Sequence, residues 1–212
     1  MHPFLWFLLA FFAGSLPFSA WITRLFLGRN IRNVGDGNPG ATNVFHAGGV
    51  AWGILALLLD FLKGALPVGA AAYGAEIAGW PLALIALAPA LGHAFSPFLR
   101  GRGGKAIAAT VGLWTGLTFG PSGVMLGIFL TLGELLLNGD AWAVLFGMGG
   151  LGAHLLLNHP GEEAAFLLSV WTGNTLLLIY THRTEYMQPP RLRRWLERLV
   201  GADRAGGAGG NE

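Results

Sequence analysis

The chain is predicted to be an all-α, polytopic integral membrane bundle of about seven transmembrane helices, with its N-terminus outside and its C-terminus cytoplasmic. Three observations predict it. Hydrophobic residues make up 53% of the 212 positions and charged residues only 11%, less than half the charged share of a soluble domain. The apolar residues fall into seven runs separated by short polar stretches. The basic residues cluster at a few of those stretches and are absent from the others, as the positive-inside rule requires.

The first run, Pro3 to Leu27, has no Lys or Arg before it and Arg24, Arg29 and Arg32 at or after its end, which argues for one retained span and against a cleaved leader. The others run from Val50 to Tyr73, Pro81 to Leu99, Ala106 to Phe119, Ser122 to Leu137, Trp142 to Leu157 and Glu163 to Tyr180. Several are shorter than the roughly 20 residues that cross the hydrocarbon core, so charge has to check the count. All 13 Lys and Arg except Lys63 lie in three places: Arg24 to Arg32, Arg100 to Lys105, and Arg183 onward. An even number of spans must then separate consecutive clusters, and two and four satisfy this. A five-span variant with two short re-entrant segments has the same parity. The 34 glycines and 8 tryptophans suit close helix packing and interfacial anchoring.

Beyond the last span, "RLRRWLERLV" sets Leu192, Trp195, Leu196 and Leu199 at helical spacing opposite arginines. Residues 189–200 are therefore expected to form a basic amphipathic helix, lying on an anionic membrane surface or in solvent. Residues 201–212 are expected to be a disordered tail. No internal repeat or second domain is visible before them.

The chain contains no cysteine, so disulfides, thiolate metal sites and a cysteine nucleophile are excluded. No HExxH or carboxylate cluster suggests a metal. Ser122 in "GPSGV" lacks the last glycine of a hydrolase elbow, and no histidine is followed five positions later by aspartate, the pattern of the familiar glycerolipid acyltransferases. Nothing implies a cofactor, nucleic acid or an obligate protein partner.

What remains is two glycine-rich loops on the cytoplasmic side. "NVGDGNPGATN" holds Gly35, Gly37 and Gly40 in dinucleotide-fingerprint spacing, but a membrane span precedes it instead of a strand, and no amphipathic helix is expected after it. The underlying physics survives: glycines let backbone N–H groups converge on an anion, with Asn38, Thr42 and Asn43 as added donors. "RGRGGKA" joins Gly103 and Gly104 to Arg100, Arg102 and Lys105, without the first glycine or final hydroxyl of a P-loop. "THRTE" emerges on the same face. Asp60 and Lys63, three apart in the second span, can neutralise each other as a structural pair. Glu134 has no partner in its own helix, so it is expected to face the bundle interior or to be protonated. An alternative reading makes these three the coupling groups of a small ion-driven transporter, which leaves the glycine loops unexplained.

"GSLP" at 14–17, "GDGNPGATNVF" at 35–45, "DFLKG" at 60–64, "GHAFSPFLRGRGGKAIAAT" at 92–110 and "HR" at 182–183 resemble, in order and spacing, the bacterial acyl-phosphate-dependent glycerol-3-phosphate acyltransferases (PlsY). The resemblance implies a seven-span acyltransferase domain over residues 1–188, in the bacterial inner or plasma membrane, with its site facing the cytoplasm. It implies transfer of a fatty acyl group from acyl phosphate to the 1-hydroxyl of glycerol 3-phosphate, giving lysophosphatidic acid. Carried over by position, phosphate contacts fall on Gly35, Gly37, Asn38, Gly40, Thr42 and Asn43, with His93, Gly103, Gly104 and Arg183 beside them. Lys105 supplies a point charge to phosphate and His182 a donor to phosphate or to the acceptor hydroxyl.

Three positions depart from the family pattern. Asp36 stands for its serine, His46 for its arginine and Glu185 for its final asparagine, and an apparent insertion with Pro189 and Pro190 displaces the following Arg-Leu to Arg191-Leu192. Two like charges about 4 Å apart at an effective dielectric near 20 repel by roughly 4 kcal/mol, about a thousandfold in affinity. Asp36 and Glu185 therefore require compensation by Arg100, Arg102 or Arg183, a catalytic role of their own such as Asp36 acting as base, or a different acceptor.

Overall fold

The computed structural model describes residues 2–200; the expected disordered tail lies outside them. Every apolar run forms helix. The first is α1 (Pro3–Ser15) and α2 (Phe18–Leu25), followed by α3 (Ala41–Gly48), α4 (Val50–Gly69, with one wider turn over Ala70–Gly74), α5 (Gly79–Ala94), α6 (Ile107–Leu117), α7 (Pro121–Leu136), α8 (Asp140–Asn158) and α9 (Gly161–Thr181). A two-residue antiparallel ladder joins β1 (Leu137–Asn138) to β2 (Arg191–Leu192), and α10 (Arg194–Val200) ends the described chain. Five helical stretches are long and apolar enough to cross a membrane, and α6 and α7 are shorter apolar helices.

The first run is not one continuous helix. Pro17 has no N–H to donate and its ring crowds the preceding turn, so the helix breaks between Ser15 and Phe18. The freed carbonyls are caught from elsewhere in the bundle: Ser96 Oγ donates to Ser15 O at 2.6 Å and Lys63 Nζ to Leu16 O at 2.8 Å. The "GSLP" stretch thus ties α4 and the end of α5 to the first span.

Helices pair as α1 on α5, α4 on α6 and α7 on α8, with α9 against α5 and α8. Close approach depends on glycine. A Cβ at Gly112 would meet Phe61 O and one at Gly64 would meet Ala109 O, so α4 and α6 touch backbone to backbone. At the centre, fully buried Trp114 donates its indole N–H to Asn174 Oδ1 at 3.0 Å, and Asn174 Nδ2 donates to Thr110 Oγ1 at 3.2 Å. That chain of bonds ties α6 to α9 where water cannot satisfy polar groups.

Three local expectations change. A helix, α3, does follow the first glycine loop, beginning directly after Gly40, although no strand precedes the loop. Glu134 does not face the interior, and its partner comes from outside its own helix, as the lack of one within it requires. It is about half exposed and pairs with Arg193 Nη2 at 3.2 Å, a contact brought from 59 residues away by the β1–β2 ladder. The helix expected over 189–200 starts only at Arg194, because Pro189 and Pro190 hold the chain extended and Arg191-Leu192 then pairs with β1.

Candidate active site

The first loop is a self-tied turn. Gly35 and Gly37 take φ of 56° and 72°, left-handed values that glycine adopts without strain. Asp36 Oδ1 accepts from Asn38 N at 3.0 Å and from Asn43 Nδ2 at 2.7 Å, and Asn43 Nδ2 also reaches Asn38 O at 2.8 Å. Asn43 is almost fully buried. Its amide therefore fixes the loop instead of standing free as a ligand donor.

The second loop is anchored from below. Gly103 N donates to Ala94 O and Gly104 N to His93 O, at 3.0 and 3.1 Å. These two N–H groups are thus committed to the end of α5 and do not face a ligand. A side chain at Gly104 would strike the His93 ring, so glycine lets the loop lie flat on buried His93. Thr181 Oγ1 donates to Lys105 O at 3.2 Å, which fixes the third segment against the second.

The three segments meet at Lys105. Its Nζ lies 2.8 Å from Glu185 Oε1, 3.0 Å from Asp36 Oδ2 and 3.7 Å from Asp140 Oδ2. The lysine side chain is 16% exposed and the carboxylates are 31–55% exposed. Burial alone would lower the lysine pKa, but the hydrogen bonds from Lys105 to Glu185 and Asp36 outweigh it and hold the ammonium above its ordinary range. For Asp36, burial pushes up, and the Asn38 N–H, Lys105 and Asn43 together bring the carboxyl below its ordinary range.

Two cavities open on this cluster. One, of about 840 Å³, runs between α4, α6 and α7, walled by Ile54, Leu57, Leu58, Phe61, Val111 and Leu130; Thr42, Asn43, His46, Asp60 and His93 line its polar part. The other, of about 810 Å³, is polar and lined by Arg32, Gly37, Arg102, Gly103, Gly104, Tyr180, Thr181, Arg183 and Glu185. Asp36, Asn38, Lys105 and Asp140 line both. An apolar-walled tunnel and a cationic cup thus share one lysine, the layout needed to bring a lipid-like chain and a small anion together.

The sequence-predicted residues separate into groups. Asp36, Asn38, Gly40, Thr42, Asn43, His46, His93 and Lys105 line the apolar-walled cavity, and Gly37, Gly103, Gly104, Arg183 and Glu185 the polar one. Arg102 lines the cup as expected of a compensating charge, whereas Arg100 does not. Gly35 and His182 line neither. His182 is fully buried, with Nδ1 2.8 Å from Leu178 O and Nε2 without a partner among the described residues. It lies directly behind Thr181, and its ring does not reach either cavity as the structure stands. Asp140 was missed. The signal was available: a seven-span count puts the connection before α8 on the same side as the three basic clusters.

The expected Asp60–Lys63 pair is present, at 2.6 Å and with side chains only 3–4% exposed. Ser19 Oγ donates to Asp60 Oδ2 at 3.1 Å, and His93 Nδ1 lies 3.8 Å from Asp60 Oδ1.

A family model described as "Glycerol-3-phosphate acyltransferase" matches residues 4–188. Glycerol-3-phosphate acyltransferase 1 of Thermotoga maritima is 34% identical over 201 residues, covering 88% of this chain and 94% of that protein. The crystal structure of PlsY (YgiH), an integral membrane glycerol 3-phosphate acyltransferase, in its glycerol 3-phosphate form superposes with a TM-score of 0.74 at 27% identity, covering 94% of this chain and 92% of the other. Its lysophosphatidic acid form gives 0.68 at 28% identity with the same coverage.

Proposed function

The chain belongs to the glycerol-3-phosphate acyltransferase family of integral membrane proteins, and from that premise we propose that it transfers a fatty acyl group from acyl phosphate to the 1-hydroxyl of glycerol 3-phosphate. The observation that carries the proposal is the position of Lys105 at the junction of the two cavities. The acyl tail lies in the apolar-walled cavity between α4, α6 and α7. Glycerol 3-phosphate occupies the cup, its phosphate facing Arg102 and Arg183.

The acceptor hydroxyl oxygen attacks the acyl carbonyl carbon, the bond from that carbon to the phosphate oxygen breaks, and inorganic phosphate leaves. Lys105 stabilises the charge that develops on the carbonyl and phosphate oxygens. Holding both substrates across one lysine supplies the proximity that replaces a covalent intermediate. The site faces the cytoplasm, where water-soluble glycerol 3-phosphate is available. Beside it, Arg191, Arg194 and Arg198, with exposed Trp195 and Leu199, rest on the anionic membrane surface.

Purified protein is incubated with acyl phosphate and glycerol 3-phosphate, and lysophosphatidic acid is followed. Product formed from acyl phosphate, and not from acyl coenzyme A, is the expected result; no product where another family member works defeats the substrate assignment. The carboxylates packed on Lys105 favour one second reading, an altered acceptor carrying less negative charge. It predicts glycerol-3-phosphate activity only after Asp36→Ser, His46→Arg and Glu185→Asn are combined.

A further inference from the structure

Resting on the acyl-transfer reading, we propose that Gly127 on α7 sets the length of acyl chain the protein accepts, by leaving the wall of the apolar cavity open where the far part of a long tail must pass. Helix α7 carries three glycines, and their surroundings differ. A Cβ at Gly123 would lie 2.7 Å from Thr115 N on α6, and one at Gly133 would lie 2.7 Å from Ala143 O on α8. Those two let α7 lie close on its neighbours. A Cβ at Gly127 would meet nothing within 4 Å. Packing therefore does not account for this glycine, and glycine inside a helix costs stability relative to alanine.

Its placement supplies another reason. Gly127 lines the apolar-walled cavity on one helical stripe with Leu130 and Thr131. Thr131 Oγ1 donates to Gly127 O at 2.8 Å, so the stripe's hydroxyl is spent on the helix itself. Exposed Ile54, Leu57 and Leu58 of α4 also wall the cavity, and α6 pairs with both α4 and α7. Helix α7 ends at Leu136, shortly before Asp140, whose carboxylate is 3.7 Å from Lys105 Nζ. Gly127 lies nine residues back from Leu136, roughly 13 Å of axial rise, in the part of the cavity remote from the lysine. A side chain there would lean farther away still, toward the start of α7. The first carbons of any acyl chain held at Lys105 stop short of that depth, and only a long tail reaches the gap.

Gly149 on α8 is the contrast. A Cβ there also meets nothing within 4 Å, but the residue is exposed and lines neither cavity. Filling it alters a helix surface and leaves the cavity as it was.

The test offers octanoyl phosphate and palmitoyl phosphate together, with glycerol 3-phosphate, to the purified protein and reads the ratio of the two lysophosphatidic acids by mass spectrometry. Competition makes that ratio independent of how much of each variant is folded. If wild type forms neither product, the acyl-transfer reading fails before this one is reached; a wild type that uses octanoyl phosphate alone overturns this one. Gly127→Leu should lower the palmitoyl-to-octanoyl ratio by at least about tenfold, as when a hydrophobic site can no longer seat a methylene, and Gly127→Phe should lower it further. Gly149→Leu should keep the wild-type ratio. An unchanged ratio in Gly127→Leu overturns the proposal, whether both products persist or fall together. So does a ratio that falls as far in Gly149→Leu. Should neither large replacement at 127 fold, Gly127→Ala carries the test: the ratio should still fall, and a wild-type ratio overturns the assignment.

Discussion

Two lysine–carboxylate clusters lie in this molecule, and they are built in opposite ways. Lys63 is sealed inside the bundle with one carboxylate at 2.6 Å, a backbone carbonyl and Ser19 around the pair. Lys105 sits at the junction of the two cavities with three carboxylates that keep a third to a half of their surface in contact with solvent. The first arrangement is charge-matched and almost fully buried, so removing either ion leaves an uncompensated buried charge. The second has more negative than positive charge at short range, and every partner can be traded for water or for a phosphate oxygen. Burial and stoichiometry therefore divide the same chemistry into a bolt and an exchangeable site.

The largest effect falls on the bolt. Asp60→Ala or Lys63→Ala alone leaves a buried charge unpaired and should cost about 3–5 kcal/mol. Lys63→Ala also strips Leu16 O of its donor at the Pro17 break. The double replacement Asp60→Leu with Lys63→Met should cost much less than either single change, since no lone charge remains. Unfolding midpoints in detergent for the four proteins measure this. Single variants as stable as wild type would mean that water reaches the pair and that the contrast with Lys105 is wrong.

The exchangeable site should show the reverse pattern. Lys105→Met should reduce kcat/KM by about 10²–10³-fold, in line with removing one preorganised donor to a developing oxyanion, with little change in unfolding midpoint because the carboxylates it leaves behind are a third to a half exposed and water can solvate them. A stability loss as large as that of Lys63→Ala would make Lys105 a structural residue instead.

Next in size is the effect of the two carboxylates that depart from the family pattern. Asp36→Ser with Glu185→Asn removes both hydrogen-bonded anions from Lys105. KM for glycerol 3-phosphate should then fall about tenfold, or roughly 1.4 kcal/mol. The figure is below the bare repulsion between charges because Arg32, Arg102 and Arg183 line the same cup. An unchanged KM would show that the carboxylates swing clear when phosphate arrives.

These two clusters also mark what a single sequence discloses. The buried pair was legible because i, i+3 spacing on a span brings two side chains together without any tertiary knowledge. The convergence at Lys105 was legible only through side-of-membrane parity and the ordered motifs, since 35–46, 101–105 and 182–185 are far apart in the chain. Asp140 escaped because it belongs to no motif, and its place beside Lys105 depends on where α8 begins. Arg193 reaching Glu134 escaped because a two-residue ladder gives no periodic signal. The break at Pro17 was hidden by an apolar run that continues unbroken through it. The donors expected of Gly103, Gly104 and Asn43 were spent on internal bonds, which composition cannot reveal.

The smallest effect is that of pH on the Asp36–Lys105 contact, and its sign follows from the two shifts. The Asp36 carboxyl is held below its ordinary value of 3.8, so its stabilisation is present above the unfolded-state value and is lost as pH falls through the lower folded one. The Lys105 ammonium is held above 10.5, so its share is present below that value and is lost as pH rises through the higher folded one. Between about pH 5 and about pH 9 neither group titrates, and the stability difference between wild type and Asp36→Asn should be constant. With the Asp36 side chain 53% exposed, that plateau should be no more than about 1 kcal/mol, shrinking below about pH 4 and again above the ordinary lysine value of 10.5. Thermal midpoints of both proteins across this range test it. A difference that changed between about pH 5 and about pH 8 would place control with buried His182 beside Thr181 and would make the exposed cluster a pH-responsive element instead of a flat one.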